Sequence, residues 1–281
     1  MKRILLPTDF SKISVNAIHY ALELFKDESC EFFLLNVFRI PYIANDELLS
    51  NDVSQLVILE GELHEASKKG MKDLIAELPK NDKHKFRTIS DYNLFIHAVK
   101  QTVEEKKIDL IVMGTKGATG AKEIFMGSNT GDVIIKTTCD VIAVPENSKF
   151  KSLKEITFPT NFRIKYERED LAALLNLAMK YDASIRILHF SEKDILDEEQ
   201  TNNKKLLSSF FEKIDHSYHL LTNTDFEESL NCFTQSRGDV DMIAVVARHH
   251  NFFQRMLFRP KVRELSFHTK IPLFVMHYLK E

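Results

Sequence analysis

The stretch from Gly114 to Ser128, GTKGATGAKEIFMGS, carries the residue types best suited to holding an anion. Gly114 is followed after two residues by Gly117, and after nine more by the pair Gly127-Ser128. Glycine lets backbone N–H groups come close to a phosphate oxygen. A helix N-terminus adds unpaired donors and the positive end of a dipole. The apolar run Ile108 to Met113 precedes the stretch and reads as a buried strand; Asn129 to Thr138 follows it and reads as a helix. This is a strand-loop-helix context. The spacing is neither the P-loop, which closes with Gly-Lys-Ser/Thr, nor the dinucleotide GxGxxG.

Other residues could complete such a site. The N-terminal MKRILLPTDFS reads as a strand ending at Pro7, Thr8 and Asp9. The Asp9 carboxylate could accept hydrogen bonds from a ribose hydroxyl or an adenine amine. It could equally cap a helix starting near Ile13, a task open to Ser11 as well. Ser128 can cap the following helix while offering its hydroxyl to phosphate, and Asn129 and Thr130 add donors. Lys116 and Lys122 either neutralise phosphate charge or stand in solvent.

The G-x2-G-x9-G-(S/T) spacing and the first strand ending in an acid together resemble the universal stress protein family. The resemblance implies an α/β fold of two tandem five-stranded parallel sheets, adenine nucleotide alpha hydrolase-like and Rossmann-like. It assigns Pro7, Thr8, Asp9 and Val37 to the adenosine end of a bound nucleotide. It assigns Met113, Gly114, Gly117, Gly127, Ser128, Asn129 and Thr130 to ribose and phosphate. The cofactor implied is ATP, with or without Mg2+. Single-domain relatives pair through their last strand, so Val141–Val144 and Leu273–Met276 could pair within this one chain, as an intrachain pseudo-dimer. A further homodimer stays open.

The chain has 281 residues, enough for two domains of about 140. An internal repeat supports two. Asp109-Leu-Ile-Val-Met113 falls on Asp241-Met-Ile-Ala-Val245 and Val141–Val144 on Leu273–Met276, both at a shift of 132 residues. Ile4-Leu-Leu-Pro-Thr-Asp9 falls on Ile156-Thr-Phe-Pro-Thr-Asn161 at a shift of 152. Domains of 1–147 and 152–281 are expected, joined by a short polar linker. Strands and helices alternate in both copies, as in a parallel sheet covered on both faces. Helices are expected at Glu167–Tyr181, Glu198–Ile214 and Val262–Thr269, among others. The connection Arg39 to Gln55 has no counterpart in the second copy and reads as either a flap or a plain loop.

A net charge of −3 gives no global argument for nucleic acid or an anionic membrane, and no apolar run approaches ~20 residues. Cys30, Cys139 and Cys232 are far apart without metal or redox spacing, as expected of reduced thiols in a cytoplasmic protein.

The second copy departs from the anion-binding pattern. Gly114 becomes Val246, Gly117 becomes His249, Gly127 becomes Arg259, Ser128 becomes Pro260 and Asp9 becomes Asn161. This copy is expected not to bind ATP in the family's manner. Its segment carries Arg248, Arg255, Arg259, Lys261 and Arg263 interleaved with Phe252, Phe253 and Phe258. Packing cover, a small anion, and nucleic acid or membrane are the readings, in that order. His249 and His250 lack a third ligand, and no metal site is expected. No Ser/His/Asp or Cys/His set can be placed, and neither Glu123 nor Asp132 is placed to activate water. The chain reads as an ATP-binding regulatory module of the stress response, sensed by a protein partner. A weak ATP hydrolase and a nucleotide-independent scaffold with an anion-binding second domain are the alternatives.

Overall fold

The apolar runs become strands because each is buried on both sides. In the computed structural model, Leu110–Gly114 (β4) and Val141–Val144 (β5) are buried at every residue. Around them stand Lys2–Pro7 (β1), Cys30–Phe38 (β2) and His84–Tyr92 (β3). The second copy supplies Glu155–Thr160 (β6), Ser184–Ser191 (β7), His216–Thr222 (β8), Met242–Ala247 (β9) and Leu273–His277 (β10). The helices are Lys12–Leu24 (α1), Val53–Glu77 (α2), Phe95–Lys106 (α3), Ser128–Lys136 (α4), Ala172–Tyr181 (α5), Glu198–Phe210 (α6) and Phe226–Arg237 (α7). The structure describes residues 1–40, 53–115, 128–191, 195–222, 226–247 and 270–277. The expected helix Val262–Thr269 and most of the connection Arg39 to Gln55 lie outside them.

The ten strands form one sheet in the order β3-β2-β1-β4-β5-β10-β9-β6-β7-β8. Read from the centre outward, the two halves have the same order. All neighbours are parallel except β5 and β10, which run antiparallel with Val141 opposite Val275 and Ala143 opposite Leu273. The two implied five-stranded sheets are thus continuous through the strand pair named from the sequence. The repeat register is reproduced bond by bond: Ile111 pairs with Val141 as Ile243 pairs with Leu273, and Ile4 with Leu110 as Ile156 with Met242.

Alternation along β1 divides the core. Ile4 and Leu6 face one cluster with Ile18 of α1, Leu74 of α2 and Leu174 of α5, so this layer runs across both halves. Leu5 faces the other, with Val99 of α3, Val133 of α4 and Leu230. At the seam, the His277 N–H donates to Asp140 Oδ1 at 2.8 Å, and burial raises the Asp140 carboxyl above its ordinary range. Lys180 of α5 pairs with Glu28 at 2.7 Å, and the Tyr181 hydroxyl donates to the Leu24 carbonyl. Cys30 and Cys139 are buried free thiols, pushed up to about 11 and about 12 chiefly by burial, while free Cys232 is exposed.

Helix ends shift from their expected positions, and in two helices of the second half the cause is visible. Before α5, Glu169–Leu171 forms a 3-10 turn, because the buried Asp170 side chain accepts the Glu167 N–H and holds the chain in a tighter curve. The expected helix to Ile214 stops at Phe210, where Phe211 and Ile214 turn inward and are buried. No helix among the described residues is long and apolar enough to cross a membrane.

Candidate functional site

In the first half the order of strands reverses between β1 and β4, the position where open α/β sheets bind ligands. Leu5 stands beside Ile111. Continuing that register puts Thr8 beside Gly114, about 5 Å away across the sheet. The β1 tip, the β4 tip and the N-terminus of α4 therefore meet on one edge.

The β1 tip is held by its own side chains. The Thr8 N–H donates to Leu35 O at 2.8 Å, and Thr8 Oγ1 accepts the Phe10 N–H at 3.0 Å. Asp9 Oδ1 accepts the Ser11 N–H at 3.1 Å. Ser11, rather than Asp9, is the helix cap: its hydroxyl accepts the Ser14 N–H. Asp9 remains exposed at the edge. Phe10 lies at φ 62°, a turn that swings α1 back under the sheet. A residue not singled out from the sequence completes the tip. Asn36, buried in β2, donates from Nδ2 to Thr8 O at 2.8 Å. Its only trace in the sequence is one amide inside the apolar run CEFFLLNVF.

Gly114 has a role that spacing alone did not reveal. A Cβ built there would lie 2.6 Å from Ile13 Cγ2 and 3.2 Å from the Ile13 carbonyl oxygen. The missing side chain lets the first turn of α1 rest directly on β4. Thr130, buried in the first turn of α4, donates its hydroxyl to Gly114 O at 2.8 Å and ties the helix to the strand tip. That hydroxyl is therefore spent on the fold, and the donors left to a ligand are amides of the first turn and the exposed Ser128 and Asn129.

The nominated residues thus separate by burial. Pro7, Thr8, Met113, Gly114 and Thr130 are buried and shape the edge; Val37 is half-buried; Asp9, Ser128 and Asn129 are exposed to it. Gly117 and Gly127, with Lys116 and Lys122, lie outside the described residues. So does the basic segment Arg248 to Arg263. Asp132 is paired with Lys136 at 2.9 Å, one turn along α4. Among the described residues no cluster of His, Cys, Asp or Glu could hold a metal ion. The edge offers a carboxylate acceptor at one tip, and a helix N-terminus with hydroxyl and amide donors at the next.

The second half repeats the tip without the surroundings. Thr160 Oγ1 accepts the Phe162 N–H at 3.1 Å, Asn161 Oδ1 accepts the Arg163 N–H at 3.0 Å, and Phe162 lies at φ 56°. Yet Val246 stands where Gly114 does. The helix that begins at Lys12 in the first half begins only at Ala172 in the second, well beyond its tip.

Comparison with known proteins bears on the family and the fold. The family model described as "Universal stress protein family" matches residues 1–145. A universal stress protein of Methanocaldococcus jannaschii is 31% identical over 150 residues, covering 53% of this chain and 84% of the relative. One from Bacillus subtilis is 28% identical over 157 residues, covering 50% of this chain and 97% of the relative. A solved universal stress protein from Archaeoglobus fulgidus has the same fold across 98% of both chains, with a TM-score of 0.66 at 16% identity. The chain belongs to the universal stress protein family.

Proposed function

We propose that this protein binds one adenine nucleotide, ATP with Mg2+ carried on its phosphates, at the β1/β4 edge of the first half. In this reading Asp9 and Val37 receive the adenosine end. Ser128, Asn129 and the first amides of α4 receive phosphate, with Gly117 and Gly127 completing the cradle. The supporting observation is the convergence of an exposed acid tip and an exposed helix N-terminus at the reversal of strand order. The protein then acts as a nucleotide-dependent regulatory module of the stress response. Residues 1–147 form the binding domain and 152–281 a degenerate copy that supports it.

The test is mass spectrometry of small molecules released from gently purified, denatured protein. An adenine nucleotide near one per chain is expected, and a marked loss in the Ser128→Ala/Asn129→Ala double variant. Folded wild type that releases nothing, and takes up no ATP when supplied, contradicts the reading.

A further inference from the structure

The two halves place different side chains on the same carbonyl. Pro7 pairs with Leu35, and Pro159 with Leu188, so Asn36 and His189 hold equivalent positions. Asn36 donates to Thr8 O; His189 Nδ1 meets Thr160 O at 3.3 Å. His189 is only 5% exposed, and its Nε2 is buried without a hydrogen-bond partner among the described residues. With Nδ1–H on the carbonyl, Nε2 is the bare nitrogen of a neutral imidazole.

Phe162 closes over this ring. The two rings stack with centroids 4.5 Å apart at 24°. Phe162 is 1% exposed, whereas its counterpart Phe10 is 38% exposed. Two amides of α6 pin the strand tip from above: Gln200 Nε2 donates to Asn161 O at 2.9 Å and Asn203 Nδ2 to Phe162 O at 2.8 Å.

The surrounding titratable groups are unfavourable to a second positive charge. From α6, the Lys204 ammonium lies over the Phe162 and Tyr218 rings. From β8 comes Tyr218, whose hydroxyl hydrogen-bonds Ser208. From the segment after β6 comes Tyr166, whose hydroxyl is 3.4 Å from Thr160 Oγ1. Asp197 at the start of α6 pairs with Arg163 instead. Among the described residues no carboxylate bonds the imidazole.

We propose that His189 is a proton-sensitive latch on the second half, holding Phe162 and the β6 tip closed while its imidazole is neutral and releasing them when Nε2 takes a proton. An imidazolium here would carry a charge in an apolar slot, beside a lysine, with no acceptor for its new N–H among the described residues. Burial first, and Lys204 after the opposing Thr160 carbonyl, hold His189 below its ordinary value. In the open state it titrates near the ordinary ~6.5. Opening therefore takes up a proton as pH falls below that value. The closed state is fully stable above it and weakens between it and the lowered value, with the opening constant rising about tenfold per pH unit.

Amide hydrogen exchange between pH 7.5 and 5, corrected for intrinsic rates, tests this in the full chain. The readout is exchange across 155–162 and 184–191, with 2–7 and 30–38 as the internal control. Wild type should open about tenfold more per unit below ~6.5. His189→Asn, which installs the first half's amide, should be flat. An equal rise in both proteins, or a flat wild type, overturns the proposal. Should His189→Asn not fold, an NMR titration of wild-type His189 decides: a midpoint below the ordinary histidine value supports the latch, and one at or above it overturns it.

Discussion

The tips Pro7-Thr8-Asp9-Phe10 and Pro159-Thr160-Asn161-Phe162 are built from the same bonds. In each, a threonine hydroxyl accepts the N–H two residues on, an Asp or Asn oxygen does the same one step later, and a phenylalanine sits at positive φ. Their neighbours differ. Beside the first tip a glycine admits α1 against the sheet; beside the second a valine stands. The tip motif is thus a way of ending a strand, and it persists whether or not its surroundings suit a ligand. In the proposed reading, competence for a nucleotide resides in what adjoins the tip: the glycine, the helix start for phosphate and the exposed acid for the adenosine end.

Exchanging residues between the halves breaks this comparison most sharply. Gly114→Val, which copies Val246, drives a side chain into the backbone of α1 and is expected to cost about 3 kcal/mol by urea denaturation. A loss within 0.5 kcal/mol, on the order of a neutral surface change, would remove the packing role assigned to Gly114. Thr130→Val leaves the buried Gly114 carbonyl without its side-chain donor and should cost roughly 2 kcal/mol in the same assay. Asp9→Asn copies Asn161 and keeps an acceptor for the Ser11 N–H. It should weaken ATP binding about tenfold, equivalent to about 1.4 kcal/mol, while hardly moving the unfolding midpoint. Unchanged affinity would return Asp9 to a purely structural role. Ser11→Ala removes the α1 cap that Asp9 does not provide, at about 1 kcal/mol; no change in the midpoint would show that Asp9 takes over.

Much of this was legible in the chain. Central strands buried on both faces, such as VIAV and LIVMG, announce themselves as apolar runs, and the repeat register follows from aligning them. The edge strands His84–Tyr92 and His216–Thr222 are harder to bound from the chain, because strands with one open side mix polar and apolar residues. The run Leu56-Val-Ile-Leu59 shows the converse. It lies in α2 with every member exposed, although four adjacent aliphatics would ordinarily be read as buried. At the site, Asp9 and the α4 start were visible because their residue types name their chemistry. Asn36 and His189 were not, since what matters is the carbonyl each one faces across the sheet. The close approach at Gly114 depends on helix placement, which no spacing encodes.

In the proposed function the first half binds nucleotide and the second does not. Titration calorimetry of Mg-ATP into the intact chain tests it most directly. Saturable binding at one site per chain is expected, and either no heat at millimolar nucleotide or two equivalent sites per chain would overturn the proposed function.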